Sequence, residues 1–397
     1  MRHTVNTPAT SPTVLRPETS AEQPVPGGQS PRWHSATVGE VCRLTPDAVA
    51  VTLEVPARLR EVFAHRPGQH VIVRYRRADG ELRRAYSLCP PPHDPTALRL
   101  VIKRGAPDGF GAHAARLSPG DRLELSSPTG HFTLPDVHGA HHVLIAGGSG
   151  ITPLAALAAD ALLRDTTCRV SLVHSVPTAA HALLSDELAA LKDTFLDRFS
   201  VLYVLTREEQ APGGGPFRGR IDADMLSRLL TALDAEPAED TSFALCGPPE
   251  MIATIRRCLD AWGAPPSLVR WELFTAGPTT TTPAADPSPT RPPADSTSAT
   301  SPAPGTSHIT ALLGGHRRHT TVGPHDTVIL DALLRAHPDV PYACREGVCG
   351  SCRAKILSGR VRADHQHALD DRDRAAGYTL VCRARPDTAE VVLDFDA

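Results

Sequence analysis

Cys344-Arg-Glu-Gly-Val-Cys349-Gly-Ser-Cys352 is the stretch that decides the fold of the C-terminal part of this 397-residue chain. Its three thiols have the spacing C-x4-C-x2-C, and a fourth cysteine, Cys382, follows later in the chain. This is the plant-type spacing for a [2Fe–2S] cluster, which four thiolates hold. Four cysteines also suit a structural zinc ion, although such sites usually carry two separated C-x2-C pairs. A disulfide framework is the third alternative.

The overall composition argues against several classes of protein. The chain has 41 basic and 44 acidic residues, so no overall field attracts it to nucleic acid or to an anionic membrane. The cysteines outside the motif are scattered, which favours a reducing compartment over a disulfide scaffold. The N-terminus has no apolar signal segment, and no stretch is long and apolar enough to span a membrane. We therefore expect a cytoplasmic protein without a transmembrane segment.

Changes in local composition predict five segments. Residues 1–32 are rich in Pro, Thr, Ser and Gly, which predicts a disordered N-terminal tail. Residues 33–138 contain short apolar strands between Pro-Gly turns, which indicates an all-β barrel or sandwich. Residues 139–275 alternate strands and helices, which predicts a doubly wound α/β domain with a parallel sheet. Residues 276–307 are predicted to be a Pro/Thr/Ser-rich linker, and residues 308–397 a plant-type [2Fe–2S] ferredoxin domain with a β-grasp fold.

The strand end Arg84-Ala-Tyr-Ser87 carries residue types that suit a flavin. Arginine suits the diphosphate, tyrosine the ring system, and the serine hydroxyl its polar edge. By itself this short match does not separate a flavin site from a strand with one buried tyrosine. A strand at Leu98–Lys103 and a glycine-bearing turn follow, and here the sequence resembles the ferredoxin–NADP reductase superfamily. That resemblance implies a six-stranded antiparallel flavin barrel that binds FAD, with FMN as the alternative.

The resemblance implies further flavin contacts outside this strand end. The loop Asp108–His113 lacks the family's Ser or Thr, but main-chain N–H groups at the start of a helix also bind phosphate. Glu272-Leu-Phe274 resembles the family's terminal E-x-F near the flavin. The predicted flavin-binding residues are Arg84, Ala85, Tyr86, Ser87, Val101, Ile102, Lys103, Gly109, Gly111, Ala112 and Phe274.

Two glycine-containing turns predict the nucleotide site. Gly147-Gly-Ser-Gly-Ile-Thr-Pro153 follows an apolar strand, where glycines let a pyrophosphate approach the main chain. Cys246-Gly-Pro-Pro-Glu-Met251 resembles the superfamily's C-G-P-x-x-M near the nicotinamide. Thr206-Arg-Glu208 resembles the segment at the adenosine 2′-phosphate, so we expect NADPH, with NADH as the alternative. The predicted nucleotide-binding residues are Gly147, Gly148, Ser149, Gly150, Thr152, Pro153, Thr206, Arg207, Cys246, Gly247, Pro248 and Met251.

The order of the segments resembles that of oxygenase reductases, most of all the reductase of phenylacetyl-CoA epoxidase and then that of 3-ketosteroid 9α-hydroxylase. The resemblance implies an electron-transfer oxidoreductase that moves electrons from NADPH through FAD and a [2Fe–2S] cluster to a partner oxygenase. We expect the partner to be of the phenylacetyl-CoA epoxidase type, in phenylacetate catabolism. The implied catalytic residues are Tyr86, Ser87, Cys246 and Glu272, and the implied cluster ligands are Cys344, Cys349, Cys352 and Cys382.

Other functions stay open at this point. A Rieske-type oxygenase of the 3-ketosteroid 9α-hydroxylase kind, or a desaturase, is the alternative electron acceptor. A nitric oxide dioxygenase needs a globin, which we do not expect residues 1–32 to supply. A non-enzymatic binding module that retained the fold is the alternative of another class, and it leaves the flavin, nucleotide and cluster signatures unexplained.

Overall fold

The computed structural model describes residues 33–77, 80–89, 96–208, 217–274, 307–369 and 371–397. The predicted N-terminal tail lies outside these ranges, as does the predicted linker apart from Ser307, which already belongs to a strand. Within the described ranges, no helix has the length and apolar character needed to cross a membrane.

An antiparallel barrel follows the N-terminal tail. Its elements are β1 (His34–Thr45), β2 (Ala48–Glu54), β3 (His70–Arg77), β4 (Gly80–Ser87), β5 (Ala97–Lys103), the short helix α1 (Phe110–Ala114) and β6 (Arg122–Leu125). The strands pair in the order β4-β3-β6-β1-β2-β5. A bridge between Leu88 and Leu100 joins the two edges. Because successive side chains alternate along a strand, Val51 and Leu53 both reach the barrel core. The predicted six-stranded barrel is confirmed.

A parallel sheet with helices forms the next part of the chain. Its elements are β7 (His141–Gly147), α2 (Ile151–Arg164), β8 (Arg169–Val176), α3 (Ser185–Thr194), β9 (Phe199–Leu205), α4 (Ala223–Ala232), β10 (Thr241–Gly247), α5 (Pro249–Trp262) and β11 (Val269–Leu273). The order β11-β10-β7-β8-β9 is parallel throughout. Every residue of β7 and β10 is buried, as expected for strands covered on both faces. The predicted doubly wound sheet is confirmed.

Local sequence explains where several of these helices begin and end. Helix α5 starts with Pro249, which has no N–H to leave unpaired, and stops before Gly263, which has a φ of 95°. Helix α4 begins after Asp222, whose carboxylate accepts a 2.9 Å hydrogen bond from the Met225 N–H. Helix α3 begins at Ser185, because Leu184 before it adopts the left-handed conformation with a φ of 57°.

A small mixed sheet completes the chain. Its elements are β12 (Ser307–Leu313), β13 (His316–Val322), α6 (Ile329–Ala336), β14 (Arg353–Ser358), β15 (Val361–Ala363), α7 (Asp371–Ala375), β16 (Tyr378–Leu380), β17 (Ala384–Pro386) and β18 (Glu390–Asp394). Five strands pair in the order β13-β12-β18-β14-β16, and β15 pairs with β17. Ile329 and Leu333 of α6 pack into the same core as Cys352 and Cys382. This is the predicted β-grasp ferredoxin domain.

Candidate active site

One large cavity lies where the barrel, the parallel sheet and the cysteine loop meet. Its volume is about 1210 Å³, whereas a pocket for one drug-sized ligand usually measures roughly 300–1,000 Å³. The predicted residues that line it are Arg84, Ala85, Tyr86, Ser87, Val101, Lys103, Gly109, Gly111, Gly147, Gly148, Ser149, Thr152, Thr206, Arg207, Pro248, Met251, Glu272, Phe274, Cys344 and Cys349. The fold therefore brings most of the predicted flavin, nucleotide and cluster residues to one space.

The predicted residues that do not line this cavity are Ile102, Ala112, Gly150, Pro153, Cys246, Gly247 and the cluster cysteines Cys352 and Cys382. Ile102 points into the barrel core, while its neighbours Val101 and Lys103 line the cavity, as alternation along β5 requires. Gly150 serves packing, because a Cβ at this position would lie 2.1 Å from the Cys246 carbonyl oxygen.

The end of β4 forms the barrel side of the cavity. Tyr86 packs against Phe110 of α1, with ring centroids 5.8 Å apart. Burial raises the pKa of the Tyr86 phenol, although the nearby Arg84 acts in the opposite direction. The phenol is therefore a neutral hydrogen-bond donor at physiological pH. This arrangement fits a flavin ring system, which needs a flat apolar contact and hydrogen-bond donors at its polar edge.

The start of α1 lies against the end of β5. A Cβ on Gly111 would come within 2.1 Å of the Lys103 carbonyl oxygen and 2.3 Å of that of Arg104. A glycine at this position therefore lets the main chain of α1 approach the strand closely. Arg77 and Arg104 also line this end of the cavity, and sequence reasoning did not include either of them. Their cationic side chains fit an anionic pyrophosphate.

Glycines at two neighbouring strand ends shape the nucleotide side. A Cβ on Gly147, at the end of β7, would lie 2.7 Å from Pro248 and 2.8 Å from Met251. Gly247, at the end of β10, has a φ of 157°, and a Cβ there would meet Gly147 itself at 3.0 Å. Larger side chains would force these two turns apart, so both glycines allow the turns after β7 and β10 to pack closely on each other. The predicted approach of a pyrophosphate to these glycines stays a prediction.

A second group of basic residues, Arg207 and Arg220, lines the cavity. The N–H groups of Thr206 and Arg207 donate to the carbonyl oxygens of Val176 and Pro177, at 2.9 and 2.8 Å. This pairing holds the loop after β9 against the loop after β8. Arg207 lines the cavity together with Arg220, which the sequence reasoning missed.

A buried pair, Glu272 and His70, lies in the cavity wall. Glu272 on β11 is 16 % exposed, and its Oε1 lies 3.9 Å from Nδ1 of His70 at the start of β3. Burial raises the pKa of Glu272 to about 8. Burial and the nearby His131 lower the pKa of His70 to about 4. Both side chains are therefore mainly neutral at pH 7, and in the described chain neither Oε2 of Glu272 nor Nε2 of His70 has a hydrogen-bond partner.

These two orphaned atoms make the wall fit a ligand with polar edges, such as a flavin or a carboxamide. Cys246 stands directly opposite Glu272 in the pairing of β10 with β11. Burial raises the pKa of the Cys246 thiol, and Glu272 raises it further, so the thiol keeps its proton. Sequence reasoning had selected Glu272 and Cys246 but not His70, which gave only the weak signal of a polar residue after a Pro-Gly turn.

The four predicted cluster cysteines form two pairs. The Cys349 thiol hydrogen-bonds to Cys344 and lowers the pKa of Cys344 to about 6, and the Glu346 N–H also donates to the Cys344 sulfur at 3.3 Å. A hydrogen bond with Cys382 is the main cause that raises the pKa of Cys352. Two pairs suit a two-iron cluster, in which each iron takes two thiolates, better than one tetrahedral ion. In the described parts of the chain, no three potential ligands converge on a single metal position.

The loop between these cysteines depends on glycine. Gly347 has a φ of 77°, and a Cβ there would lie 2.0 Å from the His365 carbonyl oxygen. Gly350 has a φ of 68°, and a Cβ there would make only an ordinary contact with Ala368, at 3.7 Å. None of the nine cysteines, all of which lie in described ranges, forms a disulfide.

Three protein families match consecutive parts of the chain. They are the oxidoreductase FAD-binding domain over residues 35–134, the oxidoreductase NAD-binding domain over residues 144–257 and the 2Fe-2S iron-sulfur cluster binding domain over residues 313–387. These matches confirm FAD, a pyridine nucleotide and a [2Fe–2S] cluster as the cofactors.

Two curated relatives match along most of their length. A component of the 1,2-phenylacetyl-CoA epoxidase of Escherichia coli (strain K12) is 33% identical over 368 residues, which cover 92% of this chain and 98% of the relative. The 3-ketosteroid-9-alpha-monooxygenase, ferredoxin reductase component, of Rhodococcus rhodochrous is 30% identical over 362 residues, which cover 90% and 96%. The solved structure of phthalate dioxygenase reductase shares the fold, with a TM-score of 0.53 and 22% identity over 91% of this chain and 98% of that one.

Proposed function

Because the chain belongs to the oxygenase reductases of the ferredoxin–NADP reductase superfamily that carry a C-terminal [2Fe–2S] domain, we propose that it supplies electrons to a phenylacetyl-CoA epoxidase-type monooxygenase. One observation carries the electron-transfer part of this proposal. A single cavity is lined by the flavin-side Tyr86, the nucleotide-side Gly147 and the cluster cysteines Cys344 and Cys349. This arrangement supports electron transfer among the three redox groups without a large rearrangement of the chain.

In this proposal, different residues of the cavity wall bind different cofactors. With the cofactors bound, the nucleotide would supply a hydride, and the flavin and cluster would pass its electrons on singly. Tyr86 and Ser87 would hold the flavin ring, and Arg84 and Lys103 would face its phosphates. Gly147 would let the turns after β7 and β10 pack closely beside the nucleotide. Glu272 holds a proton on its carboxyl beside the site, where it donates a hydrogen bond to a polar ligand edge.

NADPH is the proposed electron donor. Arg207 and Arg220 face the same end of the cavity, and a guanidinium pairs strongly with a phosphate dianion. NADH has no 2′-phosphate and gains nothing from that pairing. NADH is therefore expected to bind more weakly than NADPH. Once bound, it should turn over at a rate set by the same flavin site.

The proposed partner follows from the Escherichia coli epoxidase relative, which is 33% identical over nearly its whole length. We place the protein in the cytoplasm and propose domain limits at residues 33–138, 139–275 and 308–397, with residues 1–32 as a tail and 276–307 as a linker. Ser307 already belongs to β12, so the first strand of the ferredoxin domain begins one residue before the proposed limit at residue 308.

The order of electron flow is tested by replacing Cys349 with Ser. The variant should lose the EPR signal of the reduced cluster and NADPH-dependent cytochrome c reduction, while ferricyanide reduction by NADPH continues at the flavin. Loss of both activities with FAD still bound would contradict the proposed order. The partner is tested by product formation with purified epoxidase and Rieske-type oxygenases. Turnover with a Rieske-type enzyme alone would reject the epoxidase assignment.

A further inference from the structure

Arg83 on β4 is a buried cation outside the cavity. It is 6 % exposed, and its guanidinium carbon lies 5.0 Å from the ring centre of Trp33 and 4.3 Å from that of Tyr342. Trp33 belongs to the barrel, whereas Tyr342 belongs to the ferredoxin domain and precedes Cys344 by two positions. The two rings are within the distance of favourable cation–π contact. Residues of two domains therefore enclose the same guanidinium.

The hydrogen bonds of Arg83 join the same two domains. Its Nε donates to the Glu81 carboxylate at 2.7 Å, within the barrel. Its two terminal nitrogens donate to the carbonyl oxygens of Pro338 and Val340, at 3.3 and 3.4 Å. Glu81 neutralises the buried charge. The planar fork of an arginine can reach two carbonyl oxygens at once, which the single ammonium group of a lysine does less well.

A second contact holds the other end of the cysteine loop. Val348 is 6 % exposed and packs into the apolar cluster of the parallel sheet, against which Met251, Trp271 and Cys344 also pack. The loop is thus held near Tyr342 by the barrel and at Val348 by the parallel sheet. Cys344, between these contacts, and Cys349, directly after Val348, line the cavity.

We propose that Arg83 is the docking anchor for the chain's own ferredoxin domain and that this contact sets the rate of electron transfer into the cluster. The inference rests on the proposed function. For each hydride taken from NADPH, two electrons leave singly to two ferricytochrome c molecules, and one proton is released to solvent. Arg83 takes no part in the hydride step, because it does not line the cavity. The Arg83 contact controls the fraction of time that the cluster ligands spend docked at the cavity.

The test uses the full-length protein with Arg83→Met, which keeps the apolar stem and removes the charge and the donors. Arg76→Ala is the matched control, because Arg76 lies on the neighbouring β3, is 64 % exposed and pairs with Glu124. We expect flavin reduction by NADPH and ferricyanide reduction to stay at wild-type rates in both variants. Cluster reduction in stopped flow should slow at least about tenfold in Arg83→Met only, the change that about 1.4 kcal/mol makes in an equilibrium.

Small-angle X-ray scattering gives a readout that does not depend on activity. Arg83→Met should show a larger maximum dimension than the wild type, because the ferredoxin domain is released, and Arg76→Ala should match the wild type. Wild-type cluster reduction together with unchanged scattering in Arg83→Met would overturn the proposal. A wild type that reduces its flavin but never its cluster would instead reject the proposed function, while the scattering comparison would still report on docking.

Tyr342→Leu approaches the same contact from the ferredoxin side. Iron content and the EPR spectrum must match those of the wild type, because Tyr342 lies close to Cys344. If the arginine and the tyrosine act through one contact, the double variant should be no slower than the slower single variant. Slowing by the full product of the two single effects would overturn the assignment of Arg83 as the anchor.

Discussion

Replacing Glu272 with Gln should remove a pH dependence from the stability of the protein. Burial in the cavity wall raises the pKa of this carboxyl from 4.5 to about 8. Between pH 4.5 and about pH 8, Glu272 is therefore protonated in the folded protein but ionised in the unfolded chain. The contribution of Glu272 to stability is fully present below pH 4.5 and is lost as the pH rises through about 8. Glutamine is uncharged throughout and has no such dependence.

The expected magnitude follows from this window. The free energy of unfolding falls by about 1.4 kcal/mol per pH unit while only the folded state is protonated. Between about pH 6.5 and pH 8 the wild type should therefore lose about 2 kcal/mol that Glu272→Gln keeps. This interval also avoids His70, whose lowered pKa of about 4 leaves it mainly neutral in both states above its ordinary value of 6.5.

The assay is urea unfolding of the full-length proteins with saturating FAD at the two pH values. Glu124→Gln is the control, since Arg74 lowers the pKa of the Glu124 carboxyl and keeps it ionised across the whole interval. The control should follow the pH slope of the wild type. Equal slopes for the wild type and Glu272→Gln would show that the carboxyl is ionised in the folded protein, and the assignment of Glu272 as a proton-holding group would fail.

The other predictions concern the cluster loop and the nucleotide. Gly347→Ala should lower the free energy of unfolding by more than about 2 kcal/mol and reduce the iron content, since its Cβ would meet the His365 carbonyl oxygen at 2.0 Å. Gly350→Ala, with a similar φ but only an ordinary contact between its Cβ and Ala368, should cost only about 1 kcal/mol and keep its iron; equal losses would contradict the steric argument. Arg207→Ala should raise the KM for NADPH about tenfold, as expected for a lost charged hydrogen bond, and leave that for NADH unchanged. An unaltered ratio of the two KM values would exclude a 2′-phosphate contact.

Local patterns in the sequence were sufficient for individual elements. The span Pro249–Trp262 was recognisable as a helix because proline suits the first helical position and Gly263 suits the residue after the last. The strand Val269–Leu273 was missed although it carries Glu272. Its burial is partial and irregular, so it has neither the continuous apolar run of β7 nor a clear alternation.

Contacts between domains left no local signal. His70 and Glu272 meet only because the start of β3 faces β11 across the domain boundary, and neither segment specifies the other. The same holds for Arg83 and Tyr342. Motif recognition also selected residues without their orientation: Ile102 belongs to a correct segment but points into the barrel core. The four cysteines could be proposed as ligands from the sequence because covalent ligation fixes the number and spacing of cluster cysteines, whereas their arrangement in pairs depends on the fold.

Strand β4 takes part in two contacts, one with the cavity and one with the ferredoxin domain. Leu82, Arg84 and Tyr86 face the cavity, and Arg83 between them faces the ferredoxin domain. Because side chains alternate with a period of two, inserting or deleting one residue in β4 would exchange these faces. An arginine would still stand on each side, but Tyr86 would leave the cavity, which Ala85 and Ser87 of the same strand already line. Insertions of two residues keep the faces, so length changes in this hairpin should be tolerated only in even steps.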